Sequence, residues 1–165
     1  PTYSRSLKIQ RAWLEPAGAM YTEAGRVIES ADYIIFGPGS LYTSVIATFL
    51  PEGVKESVAQ SSAKLVYVAG NAYEITGETG PERLSDFVRE LQQYIPRKID
   101  LVIYNNHVLT EHEQAAYARE EWAIFPADTE AISEFNVVQY DFERQWPDAP
   151  GLDPTKLGLV LLNSL

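Results

Sequence analysis

None of the 165 residues is cysteine. Disulfide scaffolds, thiolate metal sites, iron–sulfur clusters and cysteine nucleophiles are therefore excluded. Imidazole chemistry is confined to His107 and His112, whose spacing fits neither the HExxH pair nor a zinc finger. Cations are scarce: 13 Lys and Arg stand against 23 Asp and Glu, a net charge of -10. A nucleic-acid surface needs clustered cations to neutralise phosphates, so that class of partner is excluded. One small phosphate-bearing ligand is not. No apolar run approaches the ~20 residues that cross a bilayer, and residues 1–8 lack the apolar core of a signal peptide. The expectation is a soluble cytoplasmic protein with no membrane partner. The opening lacks Met and runs quickly into Leu7-Lys8-Ile9, like the middle of something longer, so the chain is expected to be a fragment of a larger domain.

What is present is an ordinary globular composition, with 45% hydrophobic and 12% aromatic residues, in a length suited to one domain over residues 1–165. Three apolar, β-rich runs stand out: Tyr33-Ile34-Ile35-Phe36, Leu65-Val66-Tyr67-Val68 and Leu101-Val102-Ile103-Tyr104. Continuous runs of this kind mark strands buried on both faces of a parallel sheet. Residues 6–14 and 122–125 read as further short strands. Helical patterns lie between: 22–30 with Val27 and Ile28 inward, 41–50, a piece ending near Gln60, 111–121, and a closing helix started by Asp153-Pro154. The clearest helix follows Thr79-Gly80-Pro81-Glu82, which fits a capping box, with Leu84, Phe87, Val88, Leu91 and Ile95 as its apolar stripe. Residues 145–154 read as a loop. The fold class expected is α/β, a Rossmann-like three-layer α/β/α arrangement with a mostly parallel sheet.

In such sheets ligands bind at the carboxyl ends of the strands, near a switch in strand order. That directs attention to residues 37–44, 69–79 and 105–108. Gly37-Pro38-Gly39-Ser40 lies between a strand and a helix. Its glycines allow close backbone approach, Ser40, Thr43 and Ser44 offer hydroxyls, and a helix start suits an anion. The same string also fits a tight turn with Ser40 as an N-cap. Asn71, Thr76, Glu78 and Thr79 fit either a polar binding loop or a solvated one. Asn105-Asn106 reads first as a turn. The two histidines read as surface residues, Tyr117 as a partly buried tyrosine, and Glu111, Glu113, Glu120 and Glu121 as a solvated helix face.

The string Ala31-Asp32-Tyr33-Ile34-Ile35-Phe36-Gly37-Pro38-Gly39-Ser40-Leu41-Tyr42-Thr43-Ser44 resembles a signature of the CofD-like superfamily, in its YvcK-type branch once labelled gluconeogenesis factor. Asn71 with Thr76-Gly77-Glu78-Thr79, the Ile99–Asn106 stretch, Tyr117 with 123–128, and Asp153-Pro154-Thr155-Lys156-Leu157 resemble later motifs in the same order. The resemblance implies binding of a nucleotide or UDP-sugar, with roles in carbon metabolism, cell-wall synthesis and cell shape. It places ligand contacts at Gly37, Pro38, Gly39, Ser40, Leu41, Tyr42, Thr43, Ser44, Asn71, Thr76, Glu78, Thr79, Asn105, Asn106 and Tyr117. The other branch implies a 2-phospho-L-lactate transferase, moving a phospholactyl group from a guanylylated donor to a deazaflavin precursor. Only that branch implies a cofactor, a magnesium ion, with Asp128 and Asp153 as candidate ligands. A third reading is a domain with a decayed site that works through subunit contacts, as in a homo-oligomer. The chain departs from the family in lacking its N-terminal glycine-rich loop and in carrying Gly151-Leu152 where the family has a basic pair.

Overall fold

The computed structural model describes residues 7–76, 79–144 and 150–165. In chain order the elements are α1 (Thr22–Ser30), β1 (Tyr33–Phe36), a helical stretch Leu41–Val45 and Ile46–Phe49, α2 (Val54–Gln60), β2 (Lys64–Gly70), β3 (Ala72–Glu74), α3 (Leu84–Gln92), β4 (Leu101–Asn105), α4 (Glu111–Arg119), β5 (Trp122–Ile124), a 3-10 turn Thr129–Ile132, β6 (Val137–Tyr140) and α5 (Pro154–Ser164). Four strands form one parallel sheet in the order β1-β2-β4-β6, with Ile34 opposite Leu65, Val66 opposite Leu101 and Val102 opposite Val137. β3 and β5 form a separate antiparallel pair above the carboxyl end of β2.

The strand runs are apolar throughout because both faces of β2 and β4 are covered. Leu65, Tyr67, Val102 and Tyr104 point into a core with Val58 of α2 and Leu84, Val88 and Leu91 of α3. Val66, Val68, Leu101 and Ile103 point to the other side, against Val160 of α5 and Phe142. The expected three-layer α/β/α architecture is therefore present.

Several local expectations fail for identifiable reasons. β1 is not buried on both faces: Tyr33 and Ile35 are 37% and 44% exposed, because α5 is packed against β2 and β4 instead. The four strands follow chain order, so the strand order does not reverse within them. Residues 7–14 contain no strand. In α1, Val27 points outward, and the helix meets α2 through Gly25, where an added Cβ would lie 3.2 Å from the Ser57 hydroxyl oxygen. Residues 41–50 are not a regular α-helix. The Ser40 carbonyl accepts from both Ser44 N at 3.0 Å and Val45 N at 3.1 Å. This widens the first turn to π geometry before the chain tightens into a 3-10 turn. The Thr79–Glu82 capping box does not form; α3 begins at Leu84, and its cap comes from a distant residue, Asp128. The true capping box is Thr110 with Glu113 on α4.

Candidate functional site

A cavity of about 370 Å³ opens at the carboxyl ends of β1 and β2. Its floor is Pro38-Gly39-Ser40-Leu41 and Ala69-Gly70-Asn71, and its walls include Tyr73, Phe87, Tyr117, Trp122 and Leu152. Two turns with left-handed backbone shape this end. Gly37 has φ +81° and its missing Cβ would lie 2.4 Å from the Val68 carbonyl oxygen, so only glycine fits there. Gly70, at φ +65°, turns the chain out of β2 and presents Asn71 to the cavity. The Gly37-Pro38 peptide bond is cis.

Of the residues expected at a site, the structure brings Pro38, Gly39, Ser40, Leu41, Asn71 and Tyr117 together around this cavity. The others stand elsewhere. Gly37 shapes the turn without lining the cavity. Tyr42 donates its hydroxyl proton to Glu90 on α3 at 2.8 Å, which ties the helical stretch to that helix. Thr43 and Ser44 are exposed on the outer side. Thr76 donates to the Glu121 carboxylate, and Thr79 is half-buried outside the lining. Asn106 is exposed. Asn105 is fully buried, and its amide is used internally: Nδ2 donates to Glu143 at 2.8 Å and Oδ1 accepts from Phe142 N at 3.1 Å. Glu78 lies outside the described residues.

Asn71 carries the one polar irregularity of the cavity. It is 2% exposed, and its Nδ2 approaches the Tyr117 hydroxyl without reaching hydrogen-bonding geometry with any acceptor among the described residues. An unpaired buried donor costs ~1–3 kcal/mol, so an amide held this way is poised for an acceptor from outside. Next to it, Tyr117 is 3% exposed and donates its hydroxyl proton to Glu143 Oε1 at 2.8 Å. Burial first, then the hydrogen bond and charge of Glu143, push the Tyr117 phenol far above its ordinary value; the nearby Asn71 amide acts in the opposite sense. Tyr117 and Trp122 meet edge to face, with centroids 5.7 Å apart, making a flat aromatic corner.

Glu143 gave no signal in the sequence: a lone carboxylate in an irregular segment has neither period nor motif. It is 1% exposed. Besides Tyr117 and Asn105, it accepts from Gly151 N at 3.1 Å. The segments on either side of it pair antiparallel, Arg144 N to Gly151 O and Asp153 N to Phe142 O, both at 2.8 Å. Beside this buried group, His107 is held between Asp141 at 3.1 Å and Glu113 at 3.2 Å, and Lys156 Nζ lies 3.6 Å from Asp141. Glu113 is therefore part of an ion cluster and a cap, not simply a solvated charge.

Among the described residues the cavity lining contains one charged residue, Glu74, and no Lys, Arg or His. At the Gly39–Leu41 turn the first backbone N–H groups of a helical stretch lack intrahelical partners and suit an anion. Asp128 and Asp153 each cap a helix. Asp128 gives both oxygens to Ser85, and Asp153 Oδ1 accepts from the Thr155 and Lys156 amides. Among the described residues no group of three His, Asp or Glu could hold a metal ion, and none of the helices is long and apolar enough to cross a membrane.

Residues 2–142 match the family model described as 2-phospho-L-lactate transferase CofD. The chain belongs to the CofD family. Within that family it is similar to a putative gluconeogenesis factor of Thermotoga maritima, 42% identical over 110 residues, covering 67% of this chain and 35% of the relative. It is also 34% identical over 122 residues to the gluconeogenesis factor of Bacillus subtilis, covering 73% of this chain and 38% of the relative. A crystal structure of a Bacillus halodurans protein superposes with a TM-score of 0.83 at 26% identity, over 93% of this chain and 50% of that one. A second crystal structure, described as a UPF0052 family member from the same organism, gives 0.79 at 25% identity over 87% of this chain and 47% of that one. This CofD-family chain thus spans about a third of the curated relatives and half of the solved ones.

Proposed function

We propose that the cavity binds a nucleotide or nucleotide-sugar, such as a UDP-sugar, in a regulatory protein of the gluconeogenesis-factor type. The observation that carries the reading is an aromatic-walled cavity that begins at a glycine turn and is lined by Asn71, whose buried Nδ2 makes no hydrogen bond among the described residues. The diphosphate lies against the Gly39-Ser40-Leu41 backbone, and the base or sugar packs on Tyr117, Trp122, Phe87 and Tyr73. Asn71 donates to an oxygen of that group. The names of the relatives support a role in carbon metabolism, and cell-wall synthesis and cell shape follow as outputs of the same site.

The family description favours a second reading, a phospholactyl transferase using a guanylylated donor. The use of Asp128 and Asp153 Oδ1 as helix caps supports the binding reading over it, since both candidate carboxylates have a structural role in the fold. A thermal-shift series separates the two. UDP-glucose and UDP-N-acetylglucosamine should raise the melting temperature, ligand at ~100 times Kd adding about 2.7 kcal/mol, whereas GDP and GTP should not. A shift with guanine nucleotides alone would favour the transferase reading.

A further inference from the structure

Glu143 is the most deeply buried carboxylate among the described residues, at 1% exposure, and no cation meets its carboxylate there. Lys156 Nζ reaches its backbone oxygen instead, at 2.9 Å. Its side chain is satisfied by three donors from three parts of the chain: the Tyr117 hydroxyl on α4, Asn105 Nδ2 at the end of β4, and the Gly151 amide. Two of those partners, Tyr117 and Gly151, line the cavity. Burying a carboxylate is costly unless its oxygens are satisfied, and an apolar side chain of similar volume would fill the space at no such cost. The group is therefore placed for what it does to its partners.

We propose that Glu143 is a positioning residue of the cavity, which fixes the Tyr117 hydroxyl as a hydrogen-bond acceptor towards the ligand and anchors the Gly151-Leu152 wall. A phenol has one proton, and here it is spent on Glu143. The Tyr117 oxygen therefore accepts only, and the Asn71 amide lies beside it, both residues lining the cavity. The ligand group against Tyr117 consequently brings a donor, a sugar hydroxyl or an amide N–H, and no phosphate oxygen. A phosphate there would be an acceptor facing an acceptor, with a carboxylate directly behind it. The cavity is in this way polarised: an anion at the Gly39-Ser40 end, an uncharged donor-bearing group at the Tyr117 end. The proposal rests on the nucleotide-sugar reading above and adds the ligand's orientation.

The test is a double-mutant cycle by calorimetry with UDP-glucose as probe, using E143M, Y117F and the double variant, together with hydrogen exchange at the Gly151 amide. The carboxylate accepts from Tyr117 and Gly151 on Oε1 and from Asn105 on Oε2; a glutamine could keep the first two on its one oxygen, whereas methionine, of similar volume, removes both strong acceptors. E143M should weaken binding about tenfold, Y117F by a similar factor, and the double variant by no more than about twofold beyond the weaker single, as expected of residues acting through one contact. Exchange at Gly151 should rise at least ~tenfold in E143M while Val102 and Ile103 amides stay protected. E143D, which keeps two acceptors at shorter reach, replaces E143M in both measurements should the latter not fold. Effects that multiply in the double variant, or unchanged exchange at Gly151, would overturn the proposal. Wild-type protein that does not bind UDP-glucose would count against the nucleotide-sugar reading, and the Gly151 exchange would then decide the anchoring role of Glu143 alone.

Discussion

Asp128 accepts a hydrogen bond from the Ser85 backbone N–H at 2.9 Å with one carboxylate oxygen and from the Ser85 hydroxyl at 2.6 Å with the other. A residue 43 positions away in sequence thus caps the first turn of α3. This helix supplies Phe87 to the cavity wall and Leu84, Val88 and Leu91 to the core. Burial raises the Asp128 carboxyl, but the two bonds from Ser85 outweigh it and leave it below its ordinary value of 3.8. The contribution is therefore present above about pH 4 and lost as pH falls through the lowered folded value. Asp128→Ala should cost about 1–2 kcal/mol at pH 7, measured by urea unfolding, and the gap between variant and wild type should close in acid. An unchanged midpoint at pH 7 would remove Asp128 as the cap.

The His107 cluster has the opposite pH sign. Burial lowers the imidazole value, yet the hydrogen bonds it donates to Asp141 and Glu113 outweigh it and raise it above 6.5. Its contribution is fully present below pH 6.5 and disappears as pH rises through the raised folded value. The carboxylates of Glu113 and Asp141 are both held low, so their share persists until pH falls below about 4. His107→Gln should be less stable than wild type at pH 5.5 and nearer to it at pH 9. A stability difference that grows with pH would contradict the cluster's assignment.

The buried strands were legible because continuous apolar runs have one good explanation, a covered parallel sheet, and α5 was legible because Asp153-Pro154 is a strong start. The family resemblance singled out the glycine turn and Asn71, and the structure brings both to one cavity. What was hidden depends on distance in sequence. Thr79-Gly80-Pro81-Glu82 satisfies the capping-box pattern, but the cap that forms comes from Asp128, and no local pattern reports it. Val27 looked like a core residue by period; Gly25 is where α1 closes on α2, which turns that period outward. β3 and β6, at three and four residues, are too short to show an alternation. Asn105 was read as a turn and as a ligand contact; it ends β4, fully buried, with its amide donating to Glu143, 38 residues on.

The two glycines of the first turn should respond differently to alanine. Gly37→Ala places a Cβ 2.4 Å from the Val68 carbonyl oxygen at φ +81°, and backbone cannot yield cheaply. A loss of about 1–3 kcal/mol is expected, seen as a lower unfolding midpoint. At Gly39 the added Cβ would meet the Ser44 side chain at 2.9 Å, without a positive φ. Gly39→Ala should therefore fold with a smaller loss and show its main effect in ligand affinity. Equal losses of stability at the two positions would contradict this division.

The central claim is that Asn71 is held unpaired for a ligand, and the most direct measurement is calorimetric titration of UDP-glucose into wild type and Asn71→Ala, with the melting temperature of each recorded. Removing a buried amide whose Nδ2 makes no hydrogen bond among the described residues relieves a penalty of ~1–3 kcal/mol, so the variant should melt no lower than wild type. Its affinity should fall at least ~tenfold, the worth of a hydrogen bond made in a buried site. Undiminished affinity in Asn71→Ala, or a fall in affinity that follows a collapse in melting temperature, would contradict the account.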